Sequence, residues 1–154
     1  MRVFAPVRVE AKGFLQRKHR FISAGQVLGE LQTALFSRQS LFHQADGQQF
    51  VIRPKGPLSS TYHMQQGEIE WATVGRSDIT YRAVPYYLRR AGSLGAWQLR
   101  NEQDAVVLEI KPGFLTSGTE IEMLQDADLP LVVLAYFLVR LRMQRRRRRV
   151  GASG

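Results

Sequence analysis

The stretch DADLPLVVLAYFLVRLRMQRRRRR, residues 126–149, decides the fold predicted for this chain. No charged residue occurs at positions 129–139, two aspartates precede this segment and arginines follow it. Acidic residues before a helix, a proline in its first turn and basic residues at its end are typical of helix boundaries and suit the helix macrodipole. A helix that is apolar on every side must be enclosed on every side, by protein or by lipid.

Enclosure by lipid fits this segment poorly. A membrane-spanning helix needs roughly 20 apolar residues, and this run has about half of that before Arg140 interrupts it. We therefore predict no transmembrane span and a helix over residues 129–143 that is enclosed by protein. The residues predicted to form its buried surface are Leu129, Leu131, Val132, Leu134, Ala135, Phe137 and Leu138.

The chain before the helix alternates apolar and polar residues with period two. Ile69 and Trp71, for example, alternate with Glu68 and Glu70. This pattern is typical of strands with one buried face, and Gly47 in an Asp-Gly pair between two such runs predicts a hairpin. About twelve short strands follow from the pattern, over residues 7–12, 19–23, 26–32, 39–44, 48–53, 61–65, 68–74, 78–83, 86–90, 96–101, 105–111 and 118–123.

A short corner motif recurs between pairs of these strands. It consists of a glycine or a base, an apolar pair and a short polar stretch. Aligned copies have spacings of 21, 22, 36 and 21 residues, and a degenerate copy around Gly75 lies in the long gap. Such spacing is consistent with a repeated supersecondary unit, with chance similarity among short loops as the alternative. The aligned residues are Leu15, Phe36, Leu58, Leu94 and Leu115.

The strands and the helix together predict a barrel. An antiparallel sheet with one apolar face must cover that face, and closure into a barrel also removes its edges. About twelve strands leave an interior too wide for their own side chains to fill, and the apolar helix supplies the filling. We therefore predict a mainly β fold, an antiparallel barrel of about twelve strands that encloses a C-terminal helix. One domain would cover residues 1–143, followed by a disordered basic tail at 144–154.

The corners and the terminal helix resemble those of a known superfamily. The corner A-L-F-S at residues 34–37 and the helix D-L-P-L-x-x-L-A-Y-F-L-V-R at residues 128–140 resemble the LURP-one-related proteins, which belong with the tubby C-terminal domain and the phospholipid scramblases. The resemblance covers residues 7–143 and implies a twelve-stranded barrel around a central helix. Tubby domains bind phosphoinositides through basic surface residues, and scramblases act on membrane lipids. Most small LURP-one-related proteins have no established activity.

The sequence departs from the scramblases at two points. The chain has no cysteine, so their cysteine-rich palmitoylation segment has no counterpart. Asp126 and Asp128 are only two acids, whereas a calcium site needs six to eight oxygen ligands. No residue of the tubby phosphoinositide site maps onto this sequence, so the resemblance assigns no ligand-binding residue.

Length and cysteine content restrict the class of protein. The 154 residues, 44% of them hydrophobic, suit one domain with a core. The absence of cysteine excludes disulfides and thiolate metal sites, and suits a reducing compartment. The N-terminal residues lack a continuous apolar segment, so we expect no signal peptide. We expect a cytoplasmic protein, with peripheral attachment at the inner face of the membrane.

The net charge of +9 is concentrated at the C-terminus. Seven of the 22 basic residues lie between positions 140 and 149, which leaves 15 bases against 13 acids in residues 1–139. An anionic partner is therefore expected at the tail rather than at the domain. The candidate lipid- or anion-binding residues are Arg140, Arg142, Arg145, Arg146, Arg147, Arg148 and Arg149.

The arginine run is compatible with several roles. It could bind anionic headgroups, nucleic-acid phosphates or a localisation receptor, or remain a solvated end that keeps the protein soluble. The run has no interleaved aromatic residues for base stacking and no means of reading bases, so sequence-specific nucleic-acid binding is not expected.

No catalytic constellation is recognisable in the sequence. The histidines at positions 19, 43 and 63 lie in separate strands without metal-site spacing, and we expect them at the surface or the barrel rim. The glutamates at 68 and 70, and those at 120 and 122, are expected on solvent faces. We therefore expect no enzyme, no cofactor and no metal. The leading hypothesis is a non-enzymatic module that binds an anionic phospholipid surface. The alternative is a soluble protein-interaction or scaffold domain with a solubilising tail and an unknown protein partner.

Overall fold

The structure, a computed structural model, describes residues 1–13, 16–34, 37–92, 95–113 and 118–153. Two short strands, β1 (Arg2–Val3) and β14 (Ala127–Asp128), pair with each other in a separate two-stranded sheet, and helix α1 spans Leu129–Ser153. Twelve further strands form a closed barrel. They are β2 (Val7–Lys12), β3 (Gln16–Ser23), β4 (Gln26–Ala34), β5 (Ser37–Gln44), β6 (Gln49–Pro54), β7 (Tyr62–Gln66), β8 (Ile69–Val74), β9 (Asp78–Tyr81), β10 (Val84–Ala91), β11 (Ala96–Arg100), β12 (Val106–Lys111) and β13 (Thr119–Met123).

The barrel is an antiparallel meander. Each strand from β2 to β12 pairs with the next one in the chain, and β13 pairs with β2 to close the sheet. Each predicted strand corresponds to one barrel strand, with bounds that differ by a few residues. The predicted fold class, a mainly β barrel of twelve antiparallel strands with a C-terminal helix, is thus confirmed.

The helix occupies the interior of the barrel. Its ring contacts show this directly: Tyr136 packs edge-on against Phe21 with ring centroids 5.3 Å apart, and Phe137 packs against Tyr62 at 5.2 Å. Full burial of one aliphatic or aromatic side chain stabilises a fold by roughly 1.5–3 kcal/mol. The seven helix residues predicted to be buried are between 0 and 6% exposed: Leu129, Leu131, Val132, Leu134, Ala135, Phe137 and Leu138.

One predicted core position is not buried. Ile69 is 66% exposed, because it is the first residue of β8 and lies at the rim of the barrel, beside the β7–β8 turn. A bulge also interrupts this strand pair: Met64 pairs with Ala72 and the next residue along β7 pairs with Glu70, which leaves Trp71 without a partner on β7. The period-two pattern thus identifies the inner side of β8 but not how far along the strand burial extends.

His19 is also placed differently from the prediction. It is 2% exposed and faces the barrel interior, whereas a surface or rim position was expected. Its Nδ1 lies 2.7 Å from the Tyr136 hydroxyl and its Nε2 lies 3.2 Å from Oγ1 of Thr33. His19 lies two positions before the buried Phe21 on the same strand, so period two places both side chains on the inner face.

The helix is longer than predicted. It continues past Met143 to Ser153, so residues 144–153, which were expected to form a disordered tail, are helical. Arginine is among the better helix formers, and the buried turns already provide the costly nucleus from which the helix extends. The five consecutive arginines therefore lie on a helical extension of the core element.

The two ends of the barrel are different. The helix begins at the end we call the entry end, where the Leu129 N–H donates to the Met1 carbonyl at 2.8 Å. It leaves at the exit end, where Nη1 of Arg142 donates to the carbonyl of Arg76 in the β8–β9 loop at 3.1 Å. Since the strands alternate in direction, the exit end also carries the loops β2–β3, β4–β5, β6–β7, β10–β11 and β12–β13.

The six copies of the corner motif correspond to these six exit-end loops. The repeat therefore follows the topology, with one corner for each pair of strands. Most of its apolar residues lie outside the described residues, namely Phe14, Leu15, Leu35, Phe36, Leu94, Phe114 and Leu115.

Candidate anion-binding surface

Basic residues are concentrated at the exit end. The six exit-end loops, together with the two strand residues on either side of each loop, contain eight basic residues and two acidic ones, Asp78 and Glu120. The eight basic residues are all exposed: Lys12, Arg17, Arg38, Arg53, Lys55, Arg76, Arg90 and Lys111.

The entry end has the opposite charge. Its loops with their two flanking strand residues, together with residues 1–8 and 122–128, contain four basic and eight acidic residues. Several of these acids are paired: Asp126 with Arg2 at 2.7 Å, and Asp104 with Arg100 at 3.4 Å. The Arg2 guanidinium lowers the pKa of the Asp126 carboxyl. The net charge of residues 1–139 is therefore close to zero because two separate regions of opposite charge nearly cancel.

The helix adds its seven arginines to the exit end. Arg142 is fixed there by its bond to the Arg76 carbonyl and by its guanidinium, which lies 5.9 Å from the ring centre of Trp97. Arg90 lies 5.4 Å from the same ring centre. Arg145 is half-buried, and the arginines at 146–149 are exposed. The predicted anion-binding residues thus join the barrel bases in one region.

Few of these bases have an acidic partner. Among the exit-end barrel residues, Lys111 approaches Glu109 at 3.8 Å and Glu122 at 3.6 Å. In the part of the chain that the structure describes, no acidic side chain pairs with an arginine of the helix. The exit end therefore has positive charge that is not neutralised by the protein.

Arg140 is the most constrained of these arginines. It is half-buried where the helix leaves the barrel, and burial lowers the pKa of its guanidinium, an effect to which the positive charges of Arg17 and Arg147 add. An arginine remains charged in proteins despite such effects. Repulsion of Arg140 by Arg17 and by Arg147 is therefore part of the free protein, and a nearby anion would reduce this repulsion.

His19 and Tyr136 lie beneath this cluster. Burial, with the charges of Arg140 and Arg17, lowers the pKa of His19 to about 3, so its imidazole is neutral at physiological pH. Burial raises the pKa of the Tyr136 hydroxyl. The pair is an uncharged hydrogen-bonded link between barrel and helix, and it does not offset the arginine charge.

The sequence interpretation missed the eight barrel bases. It considered the total charge of residues 1–139, in which bases and acids nearly cancel. The sequence nevertheless contained a signal for the separation of charge, because alternate loops of an antiparallel meander lie at the same end. Adding the charges of alternate loops separately would have revealed an excess of bases at one end and of acids at the other.

A small cleft at the entry end has different chemistry. Its volume is about 90 Å³, and Tyr81, Tyr86 and Asp128 are among its lining residues. Pockets for drug-sized ligands typically measure about 300–1,000 Å³. The cleft is therefore far smaller than a typical ligand pocket. Within it, the Tyr81 hydroxyl donates to Asp128 at 2.9 Å, and burial raises the pKa of this hydroxyl.

Among the described residues, no group of three or more histidine, aspartate or glutamate side chains converges as metal ligands would. No helix in those residues has the length and apolar content needed to cross a bilayer. The glutamates at 68, 70, 120 and 122 are exposed, as predicted.

Comparison with known proteins identifies the fold. No family model and no curated protein matches the chain. An X-ray structure of a protein from Arabidopsis thaliana, AT5G01750, is similar with a TM-score of 0.60 and 12% sequence identity, and the match covers 92% of each chain. At this identity the similarity shows the fold alone, over 92% of the chain.

Proposed function

We propose that this protein is a non-enzymatic module that associates peripherally with anionic membrane surfaces through the exit end of its barrel. The supporting observation is the separation of charge. Fifteen basic residues and two acidic ones lie on the exit end and the helix extension, and acids outnumber bases at the entry end. A basic residue near an acidic bilayer contributes roughly 1 kcal/mol to binding.

Screening decides whether the acidic entry end would oppose such binding. The Debye length at physiological ionic strength is about 8 Å. Strands of five or six residues are roughly 17–20 Å long, and their tilt in a barrel, typically about 35–45°, reduces the separation of the two ends to roughly 12–16 Å. This separation still exceeds one Debye length. The acids at the entry end therefore have little effect on a surface in contact with the exit end, and the charge separation favours one orientation on the membrane.

We further propose that the chain belongs with the LURP-one-related, tubby-like and scramblase superfamily. The corner and helix motifs support this proposal, as does a barrel of twelve strands around one helix. We also propose a cytoplasmic location with attachment at the inner face of the membrane. This location agrees with binding to an anionic surface, because acidic lipids are enriched in that leaflet.

Sedimentation with liposomes tests the proposed function. We expect the full chain to sediment with vesicles that contain phosphatidylserine and not with vesicles of phosphatidylcholine alone, and we expect binding to weaken steeply with added salt. Replacement of the arginines at 145–149 by glutamine should weaken binding at least about tenfold, since each base contributes roughly 1 kcal/mol. The double variant Lys55→Glu/Arg76→Glu should also weaken it.

The matched control is Arg82→Glu, which makes the same kind of charge change at the entry end and should leave binding unchanged. Equal binding to neutral vesicles, or no binding to either kind, would contradict the proposal. The latter result would favour the alternative, a protein-interaction domain with a solubilising basic end.

A further inference from the structure

An exposed leucine projects from the exit end. Leu58 is 98% exposed and occupies the tip of the β6–β7 loop. The Ser59 N–H donates to the Gly56 carbonyl at 3.1 Å, so these four residues form a β-turn with Pro57 and Leu58 at its centre. Proline favours the first central position of such turns because its φ angle is already suitable.

The turn is held in place by contacts to its base. Nη1 of Arg38 donates to the Pro57 carbonyl at 2.7 Å, and Nη2 donates to the carbonyl of Ser59. The same guanidinium lies 5.5 Å from the ring centre of the buried Tyr62. The Lys55 N–H closes the loop by donating to the Thr61 carbonyl at 2.9 Å. Leu58 is therefore presented on a preformed tip whose ordering is not an added cost of binding.

We propose that Leu58 is a membrane anchor, which inserts into the boundary between headgroups and acyl chains while surrounding bases contact lipid phosphates. This inference rests on the proposed membrane association and adds how the surface is recognised. Peripheral proteins combine buried apolar area with electrostatic attraction to anionic lipid, and both occur here: the leucine is exposed, and Lys55 lies in the same loop.

The chemistry of the tip favours a bilayer over other anionic partners. Nucleic acids are bound by basic grooves with aromatic side chains that stack on bases, and leucine has no ring. Exposed apolar residues also occur at the entry end, where Ile69 is 66% exposed, but Glu68 and Glu70 flank it in the sequence. Acids of that kind would be repelled by an anionic bilayer, so Ile69 provides a matched control.

The absence of cysteine allows a site-specific test with the full chain. Leu58→Cys and Ile69→Cys would each be labelled with an environment-sensitive fluorophore and mixed with phosphatidylcholine–phosphatidylserine vesicles. We expect the emission at position 58 to shift to the blue and to be quenched by bromine atoms on the acyl chains. The label at position 69 should remain in water.

Unlabelled variants measure the contribution to binding. Leu58→Ala should weaken partitioning to these vesicles by roughly three- to tenfold, and Ile69→Ala should leave it unchanged. A protein that sediments with anionic vesicles while its label at position 58 stays in water would overturn the anchor and leave membrane association intact. Absence of sedimentation would overturn both. A blue shift that needs no lipid, caused by duplex DNA or by raised protein concentration, would also overturn the anchor.

Discussion

The centre of the helix provides a quantitative test of the fold. Leu134 is fully buried, with 0% exposure, and replacement of such a leucine by alanine costs about 2.7–5 kcal/mol, depending on how far the cavity collapses. For a domain of this size, 1 kcal/mol changes the melting temperature by roughly 2–4 °C. We therefore expect Leu134→Ala to lower the melting temperature by roughly 5–20 °C.

Leu134→Asp should have a larger effect. Besides the lost apolar contacts, it buries a carboxyl group without a partner, which costs roughly 4 kcal/mol or more even when the group is protonated. The sum approaches the entire stability of a typical domain, about 5–15 kcal/mol. We therefore expect this variant to be largely unfolded at 37 °C, as measured by circular dichroism and thermal melting.

The control for both variants is the same residue type at an exposed position. Leu58→Asp changes a side chain that is 98% exposed and should shift the melting temperature by less than about 2 °C, as surface substitutions usually do. If Leu134→Asp melted like the wild type, the helix would not fill the barrel and the reasoning would be refuted.

Two further predictions concern stability. The pKa of His19 is about 3 in the folded protein and 6.5 ordinarily, so the unfolded chain takes up this proton first and stability is lost as the pH falls from 6.5 towards 3. Urea unfolding should show about 2 kcal/mol less loss between pH 7 and pH 5 in His19→Gln than in the wild type, and an identical loss would exclude this linkage. A Cβ at Gly29 would lie 2.7 Å from the Phe42 ring, so Gly29→Ala should lower the melting temperature by roughly 3–10 °C. Gly56→Ala, whose Cβ meets nothing closer than 3.9 Å, should melt like the wild type, and equal melting of the two variants would contradict the packing argument.

The architecture was predictable because two strong signals had one joint solution. The strands needed a cover for their apolar face, and the segment at 129–139 needed enclosure on all sides. Only local details escaped the pattern. The bulge at Trp71 depends on pairing between β7 and β8. The inward side of His19 follows from its spacing to Phe21, but the Tyr136 hydroxyl that its buried imidazole contacts belongs to the helix, far away in the chain.

The candidate surface was predicted only in part. The arginines of the helix form a visible run in the sequence, but the eight barrel bases are scattered singly along about a hundred positions. These bases come together because alternate loops lie at the same end of the barrel. The sequence therefore predicts their proximity only after the strands have been arranged as a meander. The exposure of Leu58 could not be read from its type, because leucines at the centre of the helix and at the loop tip differ only in their surroundings.

The position of the helix in the chain affects how the protein folds during its synthesis. All twelve barrel strands precede it, so the nascent chain exposes the inner faces of its sheet before the element that fills them has been made. At about 5–20 residues per second, the sixteen residues from the end of β13 to Val139 take roughly one to three seconds to be added. During that interval the inner face of the sheet has no helix to pack against. A ribosome that stalls there would hold an apolar sheet open to chaperones and to aggregation, so folding of this barrel must await translation of the helix.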